Sequence, residues 1–250
     1  MIRRELRVER WWTPKLAQLV GAVALVVAVH GPQRGDIAKL GLFLLSAVGI
    51  AAFGHVLNDV SDRRTDALGA KPNATSGWST LHTALALAAT LAVGGVPWAF
   101  IDARPAARWL LAVEVLALVS YSIPPLRLKE RGVPGAVADA AYAYVVPFAW
   151  VLVTFWVGPL PAAALAVTVV WSLLVGLRGI LGHQLSDADS DRAAGVRTVV
   201  VRWGAERVRR LVAGPMLLAE VAAALCLCSV VVRSGSTWMA PFLVAYVVWR

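Results

Sequence analysis

The sequence predicts an all-α, polytopic transmembrane bundle, and three observations lead there. Of 250 residues, 59% are hydrophobic and 16% charged, with a mean hydropathy of +0.69; soluble domains sit nearer ~45–50% apolar and ~25% charged. Eight apolar runs approach the ~20 residues that a helix needs to cross a bilayer. Lys and Arg collect in alternate connections between those runs. Open sheets leave backbone groups unsatisfied in lipid, so the runs are helices. The same composition excludes disordered, collagen-like and disulfide-scaffold chains. A net charge of +9 on so apolar a chain points to anionic headgroups, orientation and an anionic substrate, not to nucleic acid.

In chain order the expected spans are 16–30, 38–57, 78–101, 106–123, 135–157, 160–183, 207–232 and 236–249. Trp11, Trp12, Trp78, Trp98, Trp109, Trp156, Trp203 and Trp238 fall near their ends, where indole rings anchor at the headgroups. Pro124-Pro125 stops the fourth span. The uncharged Gly158-Pro159 turn joins the fifth to the sixth. Cys226 and Cys228, two apart in one apolar run, point in different directions; they are expected to be small buried residues, not a disulfide. No cleavable signal peptide is expected.

With the N-terminus inside, nineteen of the 24 basic residues fall in cytoplasmic segments. Only Arg34, Lys39, Arg104, Arg108 and Arg233 lie outside, so the orientation is N-inside. The long polar loops 58–77, 124–134 and 184–204 then share the cytoplasmic face, where the chemistry is expected.

Six of the fifteen acidic residues sit in two short windows on that face. The first reads Asn58-Asp59-Val60-Ser61-Asp62-Arg63-Arg64-Thr65-Asp66. If the second span continues as a helix, Asn58, Asp62 and Asp66 share one face at i, i+4, i+8. The second window reads Asp187-Ala188-Asp189-Ser190-Asp191, with Asp187 and Asp191 again at i, i+4. Two such carboxylates about 6 Å apart cost about 3 kcal/mol at an effective dielectric of ~20. A divalent cation relieves that cost, and Asp and Asn oxygens suit Mg²⁺, which keeps waters and binds phosphates. The stretch Gly54-His55-Val56-Leu57-Asn58-Asp59 lines up with Gly182-His183-Gln184-Leu185-Ser186-Asp187, an offset of 128 residues. That similarity suggests two related four-helix halves, each giving one acidic cluster to a shared central cavity. Clusters that face each other hold cations that a diphosphate bridges. Behind Pro124-Pro125, the cations Arg127, Lys129 and Arg131 alternate with other residues and suit phosphate oxygens.

On these residues the chain resembles the UbiA superfamily of intramembrane prenyltransferases. Asn58-Asp59-x-x-Asp62-x-x-x-Asp66 is similar to that family's first aspartate-rich motif. Asp187-x-x-x-Asp191-Arg192-x-x-Gly195-x-x-Thr198, running on to Arg202-Trp203-Gly204, is similar to its second. Tyr121-Ser-x-Pro-Pro-x-Arg-Leu-Lys-x-Arg-Gly132 is similar to its middle loop. The resemblance covers roughly 10–235 and implies a bundle of about nine transmembrane helices that binds a prenyl diphosphate through Mg²⁺. It implies metal ligands at Asn58, Asp62, Asp187 and Asp191, with Asp59 and Asp66 supporting them or binding through water. It implies diphosphate binding by Lys71, Arg127, Lys129 and Arg131. Tyr121 and Ser122 would line the cavity, with Asp62, Asp191, Tyr121 and Lys129 as the catalytic set. Ser122 is also expected beside the diphosphate. Three positions depart from the family pattern: eight spans are found, not nine; Gln184 stands where many members carry Asp; and Lys71-Pro72 replaces Arg-Pro.

The expectation is a single transmembrane prenyltransferase domain over 1–250, lying in a bacterial inner membrane. It would transfer a prenyl group from a prenyl diphosphate to an aromatic or other lipophilic acceptor. The alternative is a membrane terpene cyclase, which releases diphosphate with no acceptor present. A transporter fits less well, because the outer loops carry almost no charge. Glu114, Asp139 and Glu220 fall inside spans, where a carboxylate is costly and therefore notable. His55 and His183 precede the two acidic windows and are candidates to orient them.

Overall fold

A computed structural model of the protein describes residues 17–233, together with Pro241 and Ala245. Its regular structure is helical throughout the described residues. The helices are α1 (Ala17–His30), α2 (Asp36–Leu68), α3 (Thr80–Gly95, followed by the 3₁₀ turn Val96–Ala99) and α4 (Pro105–Ser122). Then come α5 (Val133–Phe155), α6 (Ala162–Ser186), α7 (Ala188–Ala193), α8 (Val199–Trp203) and α9, which begins at Ala205 and runs to Arg233. Among the described residues, six helices are long and apolar enough to span a bilayer, and α1 is a shorter apolar helix. They match the second to seventh expected spans. Of the eighth, 236–249, all but Pro241 and Ala245 lies outside the described residues, as do Trp11, Trp12, Trp238 and the basic residues before Ala17.

Local sequence explains the boundaries. Gly35, in the left-handed region, opens α2, and the Asp36 carboxylate accepts the Gln33 N–H at 2.7 Å. Ser79 caps α3 by accepting the His82 N–H, and Pro105 starts α4 at a position that needs no donor. Two long helices contain prolines that remove an intrahelical bond, and both widen into π-turns there. Pro147 follows the π-turn Ala141–Val145 of α5, and Pro215 lies in Val212–Met216 of α9.

The largest departure from expectation is α2. It passes the end of its apolar run and continues for three further turns, reaching 33 residues. At 1.5 Å per residue that is about 50 Å, well beyond a ~30 Å hydrocarbon core. By contrast α6 stops at Ser186, and Asp187 links it to the separate six-residue α7. The two halves aligned by sequence therefore differ at their motifs.

Small residues set the closest packing. A Cβ at Gly49 would lie 2.3 Å from the Gly94 backbone nitrogen, so α2 and α3 touch main chain to main chain. Ser46 Oγ donates to the Gly94 carbonyl at 2.5 Å and accepts from the Trp98 indole at 2.8 Å. Trp98 is thus a core residue, not the interfacial anchor expected. It stacks on Trp150 at 5.0 Å, and Phe43 packs edge-on against both. Phe100, Trp109 and Leu218 are exposed on the outer surface, as lipid contact allows. Cys226 is also exposed, contrary to expectation, and both cysteines are free. Arg178, counted with the loops from sequence, lies within α6 and pairs with the buried Glu220 of α9 at 2.5 Å.

Candidate active site

The three polar loops meet at one end of the bundle. Because α2 continues as a helix through Asp66, Asn58 and Asp62 stand on the same face, one turn apart. Lys129, on the 3₁₀ turn Leu128–Glu130, places its ammonium between them, 2.9 Å from Asn58 Oδ1 and 2.6 Å from Asp62 Oδ1. Lys129 also donates to Ser61 Oγ at 2.9 Å. Arg127 completes the cluster, with Nη2 3.0 Å from Asp62 Oδ1, Nη1 donating to the Ser61 carbonyl and Nε on Glu130.

The second window repeats the arrangement. Asp187 and Asp191 lie at either end of the first turn of α7, and the Lys71 ammonium sits 3.2 Å from Asp187 Oδ2 and 2.9 Å from Asp191 Oδ1. Lys71 belongs to the loop after α2, so it ties the first half to the second. Burial is the largest influence on both lysines, and it disfavours the charged form. At Lys71 the hydrogen bonds to Asp191 and Asp187 outweigh burial and raise the pKa. At Lys129 burial wins over Asp62 and lowers it.

Each i, i+4 pair therefore directs two hard oxygens at one point that already holds a positive charge. That donor set fits Mg²⁺, which takes one or two protein oxygens and fills its octahedron with water and phosphate oxygens. Among the described residues, no three His, Cys, Asp or Glu side chains converge as a ready-made metal cage. The other expected residues are placed differently. Asp59 is buried, turned by one residue around α2 from Asn58. Asp66 accepts from Asn73 Nδ2 at 2.7 Å, and Asn73 also donates to the Asp59 carbonyl, so this pair fastens the loop after α2. Arg131 turns back onto the Pro125 carbonyl at 2.7 Å and is not brought to the carboxylates. Asp189 is exposed and paired only with Arg192 at the surface. Gln184 is buried and accepts the Val199 N–H at 3.0 Å, so it joins α6 to α8 and does not serve the site. Asn73 and Ser61 were not singled out from sequence; Asn73, two residues after Lys71 in a short polar loop, is the one that left a signal.

Beneath the carboxylates lies a cavity of about 340 Å³, near the lower end of the range for small-molecule pockets. Along α2 its lining runs from Asn58 and His55 through Gly54 to Ala51, Ile50 and Ala47, from polar to apolar. Across from them stand Tyr121 and Ser122 of α4, with Asp139, Tyr142, Phe148 and Trp150 of α5. His183 lines it too, so both motif-preceding histidines face the same space. Of the three carboxylates inside spans, Glu114 and Asp139 line the cavity, whereas Glu220 is engaged by Arg178.

Comparison with known proteins agrees with this layout. Residues 19–250 match the model of the UbiA prenyltransferase family. The chain is 34% identical to the lycopene elongase/hydratase of Halobacterium salinarum, over 83% of this chain and 74% of that one. It is 26% identical to the bacteriochlorophyll synthase 34 kDa chain of Chloroflexus aurantiacus, over 85% and 67%. It is 28% identical to the 4-hydroxybenzoate octaprenyltransferase of Pseudoalteromonas atlantica, over 79% and 66%. Among solved structures, a UbiA homolog from Archaeoglobus fulgidus bound to GPP and Mg²⁺ superposes with a TM-score of 0.76 at 22% identity, covering 98% of this chain and 84% of that one.

Proposed function

The chain belongs to the UbiA prenyltransferase family, an integral, multi-pass membrane group, and from that premise we propose a Mg²⁺-dependent intramembrane prenyltransferase. It moves a prenyl group from a prenyl diphosphate to a small lipophilic acceptor. The observation that carries this reading is the pair of two-oxygen, one-cation clusters at the mouth of a cavity that turns apolar with depth.

Asn58 and Asp62 on one side and Asp187 and Asp191 on the other would hold the metal. The chemistry that Mg²⁺ held there would supply is neutralisation of charge on the leaving diphosphate. Lys71, Arg127 and Lys129 bind diphosphate oxygens once drawn off the carboxylates, with Arg131 at the outer rim. The Ala47–Ile50–Ala51 stripe of α2 and Phe148 receive the prenyl tail. The rings of Tyr121 and Tyr142 flank the allylic cation, where their faces stabilise positive charge. The apolar wall keeps out water that would otherwise quench it. The motif end faces the cytoplasm of a bacterial inner membrane, and the chain works as one domain.

The test uses the protein reconstituted in liposomes with a panel of prenyl diphosphates and acceptors. The expected result is a prenylated acceptor with one diphosphate released per product, lost in EDTA and lost in both Asp62→Ala and Asp191→Ala. Full turnover in EDTA overturns the metal assignment. Diphosphate release that ignores the acceptor overturns transfer in favour of cyclisation.

A further inference from the structure

Between the carboxylate rim and the apolar depth, the cavity wall carries a second polar group of side chains that diphosphate binding does not use. Asp139 sits near the motif end of α5, and the Tyr142 hydroxyl donates to its Oδ1 at 2.5 Å. Tyr121 packs its ring edge-on against Tyr142, centroids 5.0 Å apart, and lines the same cavity. The π-turn Ala141–Val145 contains Tyr142, so a backbone irregularity coincides with this cluster. Its neighbour is the reaction centre: Arg127, which grips Asp62, also donates to the carbonyl of Ser122, next to Tyr121. From α4, the buried Glu114 lines the same space. Among the described residues of that lining, none is Lys or Arg.

Building on the prenyl-transfer reading, we propose that Asp139 accepts the proton lost by the prenyl acceptor, and that this acceptor is an uncharged, electron-rich carbon nucleophile. Transfer to carbon releases a proton. The C1–O bond of the donor breaks, and its electron pair leaves with diphosphate. A π pair of the acceptor closes the new bond to C1 and leaves a cation on the acceptor. That cation loses H⁺ from the attacked carbon, and the C–H pair restores the π system. The proton needs a base within the cavity, and Asp139 lies there as a carboxylate that accepts the Tyr142 hydroxyl. Holding Asp139 by the Tyr142 phenol orients the carboxylate and leaves the ring faces to the cation. Tyr142 is thereby a positioning residue. The same two carboxyls, Asp139 and Glu114, oppose an acceptor that brings its own carboxylate, because the described lining holds no Lys or Arg to pair with it.

The experiment uses the whole protein in liposomes with a prenyl diphosphate and Mg²⁺. The acceptors are a hydroquinone and the corresponding hydroxybenzoate, and diphosphate, prenyl alcohol and prenylated ring are measured separately. The hydroquinone is expected to be preferred by about tenfold or more in kcat/KM. In Asp139→Asn, prenylated ring falls by about 100-fold, the worth of a general base, and diphosphate release falls far less, with prenyl alcohol taking its place. Ring deuterated at the attacked carbon shows an isotope effect in Asp139→Asn that the wild type lacks. Tyr142→Phe gives a smaller loss of the same kind, and Asp139→Glu restores part of the product. Equal use of the hydroxybenzoate overturns the acceptor class. An unchanged product-to-diphosphate ratio with no isotope effect in Asp139→Asn overturns its role as base. If the wild type releases no diphosphate from any donor, the prenyl-transfer reading fails and takes this inference with it.

Discussion

At the scale of the residue, Lys129 and Lys71 are the informative side chains. The sequence reading names both as diphosphate-binding residues but does not pair them with the carboxylates. In the fold each ammonium sits between two oxygens spaced one helical turn apart. An exposed ion pair contributes little, but Lys129 and Asp62 are both largely shielded from water, so the pair matters more. Lys129→Met is expected to weaken donor binding and slow diphosphate release by about 10- to 150-fold, the worth of roughly 1.5–3 kcal/mol for a charged hydrogen bond. The preferred prenyl length stays as in the wild type. Specific activity per folded, extracted protein checks this, and wild-type donor affinity would count against a phosphate-binding role. The acidic pairs were legible in the sequence because i, i+4 spacing is a local property. Their lysine partners were not, since Lys129 and Asp62 are 67 positions apart and only the folded bundle brings them together.

At the scale of the element, α2 joins structure to function. Its upper half packs against α3 through Gly49 and Gly94, and its lower half carries the first acidic window. A side chain at Gly49 collides with main chain, which cannot rotate away. Gly49→Leu is therefore expected to cost about 1–3 kcal/mol through overpacking, and more if the helices separate. Thermal unfolding in detergent measures it, and an unchanged midpoint would show that α2 and α3 can part without penalty. Hydropathy located the membrane portion of α2 but could not show that the helix continues, because the residues after Leu57 are polar and carry no apolar period. Likewise the break after Ser186 left no composition signal: Asp187 is as polar as the aspartates that stay helical in α2. Trp98 misled for a related reason. Position near a span end suggests an anchor, and only the Ser46 hydroxyl across the interface makes it a core residue.

At the scale of the whole molecule, hydropathy and basic-residue placement predicted the bundle well, because the bilayer constrains span length and composition directly. Loops 58–77, 124–134 and 184–204, expected on one face, do contact each other at one end. The charge bias predicts a cytoplasmic orientation for that end, and labelling checks it. In a Cys226→Ser/Cys228→Ser background, a cysteine at Asp189 should react with an impermeant maleimide only from the cytoplasmic side, and one at Gly158 only from the opposite side. Reversed labelling would turn the topology over. There remains the fact that one wall of the apolar pocket and the first acidic window belong to one uninterrupted rod. On the proposed reading, the point where the donor's diphosphate is held and the α2 positions its tail touches lie on a common scale: Asn58 to Ala47 is eleven residues, about 16 Å. On that reading, the length of chain accepted is then written largely in positions along α2, with Phe148 of α5 facing them. A bulky residue introduced at Ala51, as in Ala51→Phe, should shorten the longest accepted donor, leaving diphosphate affinity as it was; turnover of the original donors in the original order would show that the limit is set elsewhere.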